Sequence, residues 1–142
     1  PAEVRGDAQQ VGLVAAAVDG GQVDISQYRG KTLLVHYWAT WCEPCKVDLA
    51  TLRELYAKYG QKGFALVGVS LDSNKTDLEA YLKQHRLPWK QIYEPGGLDS
   101  RLANELGIMT LPTMLLIDDK GNVVNRNIHI TELEAELGKR LR

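Results

Sequence analysis

The chain has 142 residues, 44% hydrophobic and 25% charged, which is the composition of one globular domain rather than a disordered segment. Lys plus Arg number 17 against 18 for Asp plus Glu, a formal charge of −1. That leaves no electrostatic footprint for nucleic acid or an anionic membrane. No apolar run approaches the roughly 20 residues of a membrane-spanning helix.

The chain starts at Pro1 rather than Met. A processed secreted protein or a domain cut from a longer chain would look like this, so a tether upstream is possible. Residues 1–10 are polar and aperiodic and read as a flexible tail or linker end, with one domain over 11–142. Gly12 to Ser26 carries two short β-prone pieces around Asp19-Gly20-Gly21, a hairpin signal. Thr32 to Trp38 (TLLVHYW) is a nearly continuous apolar run and predicts a strand covered on both faces. Pro44 to Tyr59 follows as an amphipathic helix on Leu49, Leu52, Tyr56 and Tyr59, ended by Gly60. Phe64 to Leu71 predicts a second buried strand, and Ser73 or Asn74 caps a helix reaching about His85. Trp89 to Tyr93 is a candidate short strand, and Asp99 to Leu106 a short helix. Thr113 to Ile117 is a third strong strand. Asp118-Asp119-Lys120-Gly121 is a turn into Asn122 to Asn127, and Thr131 caps a last helix over Glu132 to Leu141. This order predicts a three-layer α/β sandwich with a mixed central sheet and an N-terminal β-hairpin extension.

The chemistry lies in Trp41-Cys42-Glu43-Pro44-Cys45-Lys46, between the end of a buried strand and the start of a helix. The first amides of a helix are unpaired and its dipole is positive there, so a thiolate at Cys42 is favoured. Cys45, three residues on, faces the same side. That spacing permits a disulfide and makes Cys45 the resolving thiol. Two cysteines and the scattered His36, His85 and His129 do not make the usual four-ligand zinc set, so no metal is expected. A redox-active Cys42–Cys45 disulfide is then the only prosthetic chemistry expected, with no other cofactor. Glu43 inside the motif should oppose the helix end by raising the Cys42 pKa.

LLVHYWATWCEPCK, with Met109-Thr110-Leu111-Pro112-Thr113 far downstream, resembles the thioredoxin superfamily, and within it the extracytoplasmic TlpA/ResA group. The resemblance implies a thioredoxin-like α/β/α sandwich and a thiol–disulfide oxidoreductase. It implies a cis peptide at Pro112 that turns the backbone of Leu111 towards an incoming substrate strand. Trp41, Glu43, Pro44, Leu111 and Pro112 are thus the substrate-contacting candidates, while Trp38 is read as core. His36, six positions before Cys42, stands where thioredoxins often carry a buried acid that moves the resolving cysteine's proton. It reads either as that proton acceptor or as a neutral, hydrogen-bonded core histidine. Asp48, one turn after Cys45, stands where ResA-like proteins carry a Glu with acid–base work on the thiols, or is simply a solvated acid at a helix start.

The resemblance further implies a location outside the cytoplasm, protein disulfides as substrates with cytochrome c maturation among the processes served, and a membrane thiol as electron donor. A monomer is expected. Two other functions fit parts of the sequence. FALVGVSLD (Phe64 to Asp72) recurs in peroxiredoxins, which suggests a thiol peroxidase, although Ala39 stands where those enzymes carry Thr. A non-catalytic binding module on the same fold is the third reading, and two intact cysteines argue against it.

Overall fold

The computed structural model describes residues 4–5, 8–10, 14–93 and 110–141. Its main sheet is built on β5 (Thr32–Trp38) and β6 (Phe64–Ser70), the two apolar runs, in which every residue is buried. They pair in parallel, with His36 opposite Gly68 and Trp38 opposite Ser70. The parallel strand β7 (Lys90–Tyr93) flanks β6, and the antiparallel β8 (Thr113–Ile117) flanks β5, followed by β9 (Asn122–Asn125). Two short strands, β1 (Val4–Arg5) and β2 (Ala8–Gln10), extend the sheet beyond β9, giving the order β1-β2-β9-β8-β5-β6-β7. These lie in the segment read as a tail; strands of two and three residues are too short to show an alternation. The expected hairpin is present as β3 (Val14–Ala16) and β4 (Gln22–Asp24), a separate two-stranded sheet.

The pleat sends alternate residues of β5 to opposite faces. Leu34 and Trp38 face a core containing Leu49, Leu52 and Leu55 of α1 (Glu43–Tyr59), Leu78 of α2 (Lys75–Gln84), and Leu133 and Leu137 of α3 (Ile130–Arg140). Each such leucine contributes roughly 1.5–3 kcal/mol by leaving water. Leu33, Val35 and Tyr37 face the other core, where Val23 of β4 and the following Ile25 pack against them. The helix expected at Asp99 to Leu106 lies outside the described residues.

The element ends refine the sequence reading. Asn74 caps α2, its side chain accepting from the Asp77 N–H at 2.8 Å. Gly60 keeps right-handed helical angles and a 3-10 turn carries on to Lys62; the reversal comes at Gly63, with φ +107°. Thr131 is not the cap of the last helix. That position is His129: its carbonyl accepts the Glu132 N–H at 2.9 Å, so the first turn starts earlier, and its side chain makes no cap bond. Asp118 is a turn residue as expected: its Oδ1 accepts from the amides of Lys120 and Asn122, at 3.0 and 2.9 Å.

Candidate active site

The segment Ala39–Trp41 carries the chain from the carboxyl end of β5 to the amino end of α1, and Cys42 is the N-cap of α1. Its backbone is extended (φ −94°, ψ 101°), and its Sγ accepts the Cys45 N–H at 3.3 Å. A capping side chain is turned in towards its own helix. This is why Cys42 is only 5% exposed, while Cys45 is fully buried. The two sulfurs are bonded to each other, with Cα atoms 5.3 Å apart. Pro44 sits in the first turn, where its missing N–H costs nothing.

The rim around this disulfide is open. Trp41 is 59% exposed, and Glu43 and Pro44 are exposed as well. Glu43 is held at 2.6 Å by Lys46, one turn on, so its charge is locally offset. Lys46 also lies 5.9 Å from the centre of the Tyr81 ring on α2. Sequence reasoning missed Lys46, although the Glu43/Lys46 spacing of three was its signal.

Thr113 pairs with Tyr37 across β8 and β5, which brings the preceding Leu111 and Pro112 in towards the end of β5 from which the Cys42 loop departs. The Leu111–Pro112 peptide is cis, and Leu111 packs against the core that contains both cysteines. Asp48 and Pro112 line one cavity of about 330 Å³ with Met114, Asn127, Ile128 and His129. Asp48 is half-buried there, and that burial raises its carboxyl above the usual carboxylate value.

His36 is fully buried on the same face of β5 as Trp38, with the two rings near parallel and 6.2 Å apart. Neither of its ring nitrogens has a hydrogen-bond partner among the described residues. Burial pushes its pKa down from 6.5 to about 3, so the imidazole is neutral at physiological pH. Trp38 is core, as read, and its Nε1–H donates to Gln91 Oε1 at 3.0 Å. Among the described residues, no group of three or more His, Cys, Asp or Glu could hold a metal ion.

Comparison with known proteins places this geometry in context. The family described as Redoxin matches residues 4–139. The thiol-disulfide oxidoreductase ResA of Bacillus cereus is 29% identical over 112 residues, covering 79% of this chain and 63% of that protein. The chain thus spans a little under two thirds of the length of the curated relatives it matches. A solved thiol-disulfide oxidoreductase of Bacteroides fragilis is 31% identical, with a TM-score of 0.82 over 92% of this chain and 97% of that one. The thioredoxin domain of a thiol-disulfide oxidoreductase of Bacteroides vulgatus superposes with the same TM-score, 0.82, over 94% of this chain and 95% of that one. At 23% identity it speaks for the fold alone.

Proposed function

The chain belongs to the Redoxin family, and on that basis we propose that it is a thiol–disulfide oxidoreductase of the TlpA/ResA type, cycling through Cys42 and Cys45. The observation that carries the reading is the Cys42–Cys45 bond at the amino end of α1, where the Cys42 sulfur already accepts a helix amide. On reduction the same N–H faces the Cys42 thiolate and stabilises it.

The cycle follows from the placement of the two sulfurs. The Cys42 thiolate attacks one sulfur of a substrate disulfide; the other leaves as a thiolate, and a mixed disulfide forms. Cys45 loses its proton and attacks Cys42 Sγ, which releases the second substrate sulfur as a thiolate and leaves the Cys42–Cys45 disulfide. Two electrons have passed to the substrate, and an external dithiol restores the pair. Asp48 suits the role of accepting the Cys45 proton. It lies one turn further along the same helix, and its raised pKa makes it a better base than an ordinary surface acid. His36 does not suit that role, because an imidazole with a pKa near 3 cannot hold a proton at neutral pH. Exposed Trp41, Glu43 and Pro44 face the substrate. The backbone of Leu111 before Pro112 offers it an edge to pair with as an extra strand.

The direction we propose is reduction of protein disulfides outside the cytoplasm, cytochrome c maturation among the processes served, by a monomer recharged by a membrane thiol donor. The kinship with ResA supports this. Insulin reduction driven by dithiothreitol tests it. Wild type should accelerate the reaction and Cys42→Ser should abolish it. Cys45→Ser should stop at a mixed disulfide seen as added mass, and Asp48→Asn should slow the resolving step by roughly 100-fold, as loss of a general base does. A Cys42→Ser protein as active as wild type would refute the reading.

A further inference from the structure

The carboxylate of Asp72, just beyond the carboxyl end of β6, is 1% exposed. Its contacts come from three donors. Oδ1 accepts from the Thr40 N–H at 2.9 Å and from the Thr40 hydroxyl at 2.6 Å, and Oδ2 accepts from the Ser70 hydroxyl at 2.6 Å. The Asp72 N–H in turn donates to Ser70 Oγ at 3.1 Å. No cation pairs with it among the described residues. A buried carboxylate without a counter-charge is costly to keep, and here hydrogen bonds alone offset that cost. Two of the three reach across 32 residues to Thr40, two positions before Cys42. The Leu71 N–H adds a bond to the Trp38 carbonyl at 2.8 Å. The start of the loop that ends in Cys42 is therefore fastened to the end of β6. Its far end is fixed by the Cys42 N–H to the Ala39 carbonyl at 3.1 Å and by the Lys46 N–H to the Cys42 carbonyl at 3.1 Å.

We propose that Asp72 is a positioning residue for Cys42: by accepting both donors of Thr40, it holds the loop so that the Cys42 sulfur stays on the Cys45 N–H in the first turn of α1. The proposal rests on the reading of Cys42 as the attacking thiol. The capping geometry of Cys42 depends on an extended backbone at that one residue; Trp38 and Ala39 are already anchored in the core beside α1, so the stretch left for Asp72 to fix is Thr40 and Trp41. Without the Asp72 clamp, Thr40 and Trp41 are free to swing, and the sulfur spends less time on the Cys45 N–H. A thiolate that loses a donor has a higher pKa. Removing a negative charge from the neighbourhood would do the reverse and lower it, so the sign separates clamping from charge.

The test is the pH dependence of Cys42 alkylation by iodoacetamide in the reduced protein, with far-UV circular dichroism to confirm folding. Asp72→Ala should raise the half-point by about one pH unit, a tenfold loss of thiolate below it. Asp72→Asn, whose amide oxygen still accepts from Thr40 but which has lost the charge, should lie at or slightly below wild type and not rise. Thr40→Val, which loses only the hydroxyl, should rise by less than Asp72→Ala. The proposal is overturned if Asp72→Ala leaves the half-point unchanged or lowers it, or if Asp72→Asn moves as far as Asp72→Ala. Should Asp72→Ala not fold, Thr40→Val decides, and an unmoved half-point there is fatal. If instead wild-type Cys42 reacts no faster than Cys45, it is the oxidoreductase reading that fails.

Discussion

An imidazole in the middle of β5 has no water with which to share a charge, and His36 lies opposite Gly68 on one side and Met114 on the other. Neither neighbour offers it a counter-charge, so the folded protein holds the ring neutral, with a pKa near 3 against 6.5 when unfolded. A pKa depressed by folding gives stability that is whole above about pH 6.5 and is lost as pH falls towards 3, because only the unfolded chain takes up the proton. The full loss is on the order of 5 kcal/mol, from 1.36 kcal/mol per unit. Asp48 works in the opposite sense: its raised pKa favours the fold below the usual carboxylate range, and that contribution fades as pH rises through its folded value. Urea unfolding from pH 7 to pH 4 should therefore show a steep acid-side loss in wild type and a much flatter one in His36→Leu. Equal slopes in the two proteins would contradict this account of His36. The sequence singles out His36 as the odd member of an apolar run. Its protonation state follows from cross-strand neighbours, which one sequence does not print.

At the scale of elements, β5, β6 and β7 fit together through an absent side chain. A Cβ on Gly68 would lie 2.6 Å from Gln91 Cδ and Nε2 and collide with Oε1, so the Gln91 amide occupies the space that glycine leaves. From there it accepts the Trp38 indole N–H. Gly68→Ala should destabilise the protein by about 1–3 kcal/mol, the usual cost of overpacking. Gln91→Ala should cancel much of that penalty in the double variant, and strictly additive losses in urea melts would contradict the packing. The strands were legible because TLLVHYW and FALVGVS are long and apolar; the α2 cap was legible only to within Ser73 or Asn74, since both residue types cap helices, and the structure selects Asn74. The His129 cap was not legible, since nothing in its chemistry marks it. The strands at Val4–Arg5 and Ala8–Gln10 were hidden too, since what defines them is pairing: Ala8–Gln10 adds to the edge of β9, and Val4–Arg5 adds to Ala8–Gln10.

Across the whole molecule, the site is assembled from ends of elements that the chain visits far apart: Cys42 after β5, Asp72 after β6 and Leu111–Pro112 before β8. The dithiol and the proline could be read from sequence, since their residue types carry their chemistry. The Thr40–Asp72 clamp could not, because it joins two ordinary polar residues that meet only when β5 and β6 pair in register. No helix among the described residues is long and apolar enough to cross a membrane. The central claim is that Cys42 and Cys45 form a working reductant, and equilibration of the protein with dithiothreitol redox buffers, read by mass after alkylation, tests it most directly. The account requires a single two-electron transition that adds two alkyl groups, with a midpoint below about −250 mV, near the range of thioredoxin. A disulfide that never exchanges with the buffer, or a midpoint near −120 mV, in the range of a strong oxidant, would contradict it.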